Sequence, residues 1–84
     1  MRSVDPKKYN LHSRIKLKKT KKNIFIIIDR KTRVIMKDGY RIFEIAKQIK
    51  QLESDKKIGV LTSAPVCSKT QKFLVERQIA IKSL

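Results

Sequence analysis

The 84-residue sequence is poor in the residues on which most protein chemistry depends: it has one cysteine, one histidine, two glycines, two prolines and no tryptophan. With Cys67 alone, the chain can form neither an intrachain disulfide nor a metal site held by paired cysteines. His12 has no neighbour in sequence with which it could form a catalytic pair. The sequence therefore predicts no cofactor and no metal site, and a chain without disulfides suits the reducing cytoplasm.

Long apolar segments and acidic residues are also scarce. The longest apolar run covers residues 24–28, far below the roughly 18 to 20 residues that a membrane-spanning helix needs. The first residues are polar, so we expect no secretory signal and no membrane association.

The sequence contains only 7 Asp and Glu against 22 Lys and Arg, which gives a net charge of +15. Because such an excess destabilises a small fold by self-repulsion, it indicates a polyanionic partner.

The positive charge is concentrated near the N-terminus. Residues 1–22 contain nine Lys and Arg and one acid, Asp5. Residues 1–12 show no apolar periodicity, so they are expected to form a basic extended arm that is open to disorder. Residues 13–84 are expected to form a single compact domain.

The first half of that domain has the pattern of strands. Residues 14–18 alternate basic and aliphatic side chains, and residues 24–28 are continuously β-branched or aromatic. Residues 33–36 follow a turn at Asp29 and are expected to return antiparallel. Together these segments predict a three-strand antiparallel meander.

The second half alternates between helix and strand. Ile42, Ile45, Ala46, Ile49 and Leu52 recur at helical spacing. An N-cap at Asp38 is expected for this helix. An apolar strand over 58–62 follows, then a helix opened by the capping-box pattern of Ser68 and Gln71, and a short strand over 79–81. A strand reached through a helix pairs in parallel, so the predicted fold class is α/β with a mixed sheet.

The basic segments predict contact with nucleic acid, either RNA or DNA. Each Lys or Arg that neutralises a phosphate releases counterions and adds affinity that does not depend on sequence. With few aromatic residues, contact with backbone phosphate and recognition of shape or of a duplex are favoured over base reading: Phe25 and Phe43 are expected in the core, and Tyr9 and Tyr40 remain as stacking candidates. The predicted contact residues are the Lys and Arg residues of the arm, the first strand and the hairpin loops: Lys7, Lys8, Arg14, Lys16, Lys18, Lys19, Lys21, Lys22, Arg30, Lys31 and Arg33.

A second anion site is a further candidate. Ser68, Lys69 and Thr70 lie where a helix begins, and the free amides of a helix N-terminus attract anions. Cys67 precedes them, where amide dipoles and Lys69 would favour a thiolate. The alternative is that Cys67 is a small buried apolar residue.

Three functions remain open at this point. The first is a nucleic-acid-binding protein without enzymatic activity, working alone or as a subunit of a larger nucleoprotein complex. The second is an interaction module or inhibitor that docks on an acidic protein. The third is a small enzyme, either a thiol enzyme using Cys67 or a metal-dependent nuclease using Asp29 with the following Arg30 and Lys31. The sequence does not determine the oligomeric state.

Overall fold

The computed structural model describes residues 1–84 and is built around one five-stranded sheet. In chain order the elements are β1 (Arg2–Val4), a 3-10 helix (Pro6–Tyr9), β2 (Lys16–Lys19), β3 (Asn23–Ile28), α1 (Met36–Leu52), β4 (Lys57–Thr62), α2 (Ser68–Glu76) and β5 (Ala80–Ser83). The strands lie side by side in the order of the chain. β1, β2 and β3 are antiparallel, whereas β3, β4 and β5 are parallel. The predicted mixed α/β fold is confirmed.

Both helices cover the same face of the sheet. The crossovers from β3 to β4 and from β4 to β5 step in one direction, and crossovers of this kind have one hand, so their helices fall on one side. Ile42 and Ile49 of α1 and Leu74 of α2 share one buried cluster with Ile24 and Ile26 of β3. The opposite face of the sheet has no helix over it.

Residues 1–12 belong to this fold, whereas the sequence favours a free arm. β1 pairs along β2, with Arg2 opposite Lys19. The 3-10 helix packs against α1, and Tyr9 is only 1 % exposed. A strand of three residues and a single helical turn are too short to show a period, so the sequence carries no visible pattern for either.

The third antiparallel strand is β1, and the prediction of a strand over 33–36 is wrong. Val34 forms one isolated parallel bridge with Val66, and α1 begins at Met36. The β-branched residues of this segment therefore tie the loop before α1 to the loop before α2 instead of extending the meander.

Both helices begin earlier than predicted. Asp38 is the third residue of α1, where its carboxylate accepts a hydrogen bond of 2.9 Å from the Ile35 amide. The N-cap of α2 is Cys67, and Ser68 is the first helical residue. The bridge between Val34 and Val66 joins the two loops that lead into the helices, and α1 begins three residues and α2 one residue sooner than the cap residues alone suggest.

Phe25 is buried, as predicted, but on the face without helices. It lies opposite Lys18 of β2 and Gly59 of β4, and it is outside the helix-side cluster. A Cβ atom at Gly59 would lie 2.9 Å from Cε1 of Phe25 and 3.3 Å from the carbonyl oxygen of Ala80. Gly59 thus leaves the space in which the ring packs against the sheet.

We expect Gly59→Ala to lower the free energy of unfolding by about 1 to 3 kcal/mol, because the added methyl overpacks the contact with Phe25. Chemical denaturation measures the change. In a Phe25→Leu background the same substitution should cost less, since the smaller side chain leaves room. Equal costs in both backgrounds would show that the Phe25 ring is not the obstacle.

Candidate nucleic-acid interface

Most of the positive charge in the folded chain has no acidic partner. Of the 22 Lys and Arg side chains, Lys8, Arg30 and Lys47 are the 3 that pair with a carboxylate, which leaves 19 unpaired. None of the five strands contains Asp or Glu. The sheet therefore contributes positive charge only.

The helix-free side of the sheet carries lysines around an apolar centre. Side chains of directly paired residues point to the same face. Lys18 pairs with Phe25. Lys16 pairs with Ile27, Ile27 with Leu61, and Leu61 with Lys82, so all six side chains lie on this face. The three lysines are exposed, whereas Phe25 and Leu61 are 8 % and 7 % exposed. We call this surface the basic sheet face; its residues are Ser3, Lys16, Lys18, Phe25, Ile27, Leu61 and Lys82.

One end of the sheet adds further lysines. Lys21 and Lys22 are exposed in the hairpin between β2 and β3. The loop before β4 lies beside this hairpin, because Lys56 Nζ donates to the Lys21 carbonyl at 2.7 Å and the Lys57 amide donates to the Lys22 carbonyl at 2.9 Å. Lys56 and Lys57 were not among the predicted contact residues, since only the parallel pairing of β3 and β4 brings them here. Lys19 ends β2 and is half-buried.

At the other end of the sheet, Arg30 is engaged within the fold. Its guanidinium donates to the Asp38 carboxylate at 2.6 and 3.3 Å and to the carbonyls of Thr32 and Arg33 at 3.1 and 3.0 Å. These contacts use most of its donors. Arg30 thus holds the loop before α1, while Lys31 and Arg33 stay exposed.

Lys7 and Lys8 lie on the 3-10 helix, in the helical layer and away from the basic sheet face. Lys8 Nζ is 3.6 Å from a Glu53 carboxylate oxygen and 5.7 Å from the centre of the Tyr9 ring. Tyr9 itself is buried, so it is not available for base stacking.

Arg14 lies in a cleft of about 360 Å³ where the chain approaches β2 beside the first turns of α1. His12, Arg14, Lys16 and Arg41 supply basic groups to this cleft, and isoleucines of β3 and α1 form its apolar wall. We call it the corner cleft. With Arg30, which Asp38 engages, its basic groups come from three separate segments. Arg14, Lys16 and Arg30 were among the predicted contact residues, whereas His12 and Arg41 were not.

The predicted anion site at the start of α2 is only partly exposed. Ser68 and Lys69 face solvent, but Thr70 is fully buried. Its Cγ2 packs against Gly39 of α1. Thr70 therefore serves the contact between the helices. Hydrogen bonds from the backbone of Lys69 and Thr70 lower the pKa of the Cys67 thiol, and the charge of Arg33 adds to the effect.

Asp29, the residue of the nuclease hypothesis, is part of a loop contact. Its Oδ1 accepts a hydrogen bond of 2.7 Å from Ser63 Oγ, which in turn accepts one from the Arg30 amide at 3.1 Å. No three His, Cys, Asp or Glu side chains are grouped as ligands of a metal ion.

A second basic surface lies in the helical layer, in a groove of about 800 Å³ between α1 and the end of α2. Lys47, Lys50 and Arg77 line it together with Phe43. The Arg77 guanidinium carbon lies 3.7 Å from the centre of the Phe73 ring and 5.2 Å from that of Phe43. This groove was not predicted, because its residues come together only when α1 and α2 pack.

Comparison with family models, with curated protein sequences and with solved structures finds no match to this chain. No helix combines the length and the apolar character that crossing a membrane requires.

The contact between Arg30 and Asp38 should make the stability of the fold depend on pH. The hydrogen bond from Arg30 lowers the pKa of Asp38, so this contribution is complete above the unfolded pKa of about 3.9 and is lost as pH falls through the folded value. We expect Asp38→Asn to be less stable than the native chain at pH 7 and the difference to shrink below about pH 4. Thermal melting at both pH values measures it, and a difference that stays constant would contradict this role.

The lowered pKa of Cys67 predicts a thiol that ionises early. Alkylation by iodoacetamide should reach half its maximal rate at a lower pH in the folded protein than in the same protein in denaturant, where the ordinary pKa of about 8.5 applies. Arg33→Gln should raise the folded midpoint slightly. Identical midpoints in the folded and denatured protein would contradict the effect of the helix amides.

Proposed function

We propose that this chain is a nucleic-acid-binding protein without enzymatic activity that contacts phosphates through its basic sheet face. The observation that carries the proposal is the arrangement of Lys16, Lys18 and Lys82 on a face whose strands contain no acidic residue and which has no helix above it. A strand lying across this face would meet lysines along both sides of an apolar centre. The charge of the hairpin lysines Lys21 and Lys22 extends the same surface at one end.

The covered centre of the face favours contact with the backbone over base reading. Phe25 and Leu61 are almost fully buried, so a base has little aromatic surface on which to stack. Lysine ammonium groups bind phosphate as point charges and do not read base edges. We therefore propose binding that tolerates sequence, in the cytoplasm and as part of a larger nucleoprotein complex where partners are present.

Replacing Lys16, Lys18 and Lys82 together by Gln should weaken binding to single-stranded RNA or DNA. Each lost phosphate contact reduces the slope of log affinity against log salt by about 0.7, so the slope should fall by about 2. Fluorescence anisotropy over a salt series measures it.

The matched control replaces Lys47, Lys50 and Lys72 by Gln. It removes the same amount of charge from the helical layer. A smaller effect of this control supports the basic sheet face. A larger effect would move the interface to the groove between the helices. If the native chain binds no RNA or DNA but captures an acidic protein after nuclease treatment, the proposal fails and an acidic protein partner takes its place.

A further inference from the structure

The corner cleft lies next to the basic sheet face and shares residues with it. Ile15, Lys16 and Ile27 line the cleft, and the same three line a depression of about 600 Å³ on the sheet face, together with Ser3, Lys18 and the single acidic residue Asp29. A strand that follows the sheet lysines thus reaches the cleft by passing around the start of β2.

The mouth of the cleft holds two arginines without protein partners. The side chains of Arg14 and Arg41 make no ion pair, whereas Arg30 and Asp38 in the same cleft neutralise each other at 2.6 Å. The one acidic group therefore does not repel an anion. Two free guanidinium groups are well suited to a phosphate with several unshared oxygens, since each can donate two parallel hydrogen bonds.

His12 can provide a further hydrogen-bond donor to an anion in the cleft. Its Nδ1 accepts a hydrogen bond of 3.0 Å from the Arg14 amide, so the ring proton of the neutral histidine is on Nε2, where it can be donated to an oxygen. The same contact holds the turn that presents Arg14.

The inner wall limits what can enter. Ile26, Ile42 and Ile45 are buried and apolar, so a chain of phosphates continuing past the arginines would lose its solvation without finding a partner. A volume of about 360 Å³ lies near the lower bound of about 300 Å³ for ligand clefts and has room for one nucleotide, not a duplex.

From this geometry we infer that the corner cleft binds the phosphorylated end of a single nucleic-acid strand, with Arg14 and Arg41 on the terminal phosphate and the last sugar or base against the isoleucine wall. The inference rests on the proposed function, because the strand reaches the cleft along the basic sheet face.

The test compares single-stranded oligonucleotides of one sequence, labelled on an internal base, that carry a 5′-phosphate, a 3′-phosphate or hydroxyls at both ends. A strand one nucleotide longer with hydroxyl ends provides the same number of phosphates. We expect one phosphorylated end to bind about tenfold tighter than the longer hydroxyl strand. Equal affinities would overturn the inference while leaving the proposed function intact, whereas no binding of any strand would overturn both.

Two variants locate the preference. Arg14→Gln with Arg41→Gln should abolish it while keeping the binding that depends on the sheet lysines. Lys50→Gln with Lys72→Gln removes the same charge from the helical layer and should preserve it. Arg14→Lys with Arg41→Lys keeps the charge and should retain only part of the preference, because lysine donates no paired hydrogen bonds. A preference unchanged in the Gln variant of the two arginines would place the phosphate elsewhere.

Discussion

The pairing of β3 with β4 is the constraint on which the rest of the molecule depends. Its parallel register puts Ile24 beside Ile58 and Ile26 beside Val60 under the helices, and in the same ladder Phe25 beside Gly59 on the opposite face. Because successive side chains point to opposite faces, a slip of one residue would exchange the two sets. The core and the basic sheet face are thus determined by one set of backbone hydrogen bonds.

The loops that leave these two strands are joined to each other as well. The Val34 amide donates to the Pro65 carbonyl and the Cys67 amide donates to the Val34 carbonyl, both at 2.9 Å. Ser63 adds the contact with Asp29. These bonds set where α1 begins, and therefore where Arg41 stands relative to Arg14. The corner cleft is in this way a consequence of how two strand-to-helix loops run side by side.

Patterns of sufficient length made most of the fold predictable. The apolar run 24–28, the helical spacing from Ile42 to Leu52 and the apolar segment 58–62 all became the expected elements. β1 could not be predicted, because its three residues pair with β2 without a pattern of their own. Residues 33–36 look like a strand locally, but the contact of Val34 with Val66 outweighs that propensity.

The candidate site was less accessible to sequence reasoning, and for a different reason. Lys16 and Lys18 could be placed on one face from their alternation. Lys82 lies on the same face only because of the β3–β4 and β4–β5 registers. These pairings form across two helical crossovers, so no local sequence pattern predicts them. Arg30 was expected to be a free base, whereas a carboxylate eight residues later engages it.

The charge of this fold links its stability to its proposed ligand. The core is a cluster of 15 buried residues. Of the 22 Lys and Arg side chains, 19 lack a carboxylate partner, so they repel one another in the folded chain. Added salt screens that repulsion and favours the compact state, yet the same screening weakens attraction to phosphates. Nucleic acid neutralises the charge locally, and a ligand that binds only the folded chain stabilises it. The unpaired lysines destabilise the free protein by mutual repulsion. A bound polyanion would stabilise the fold through these same lysines.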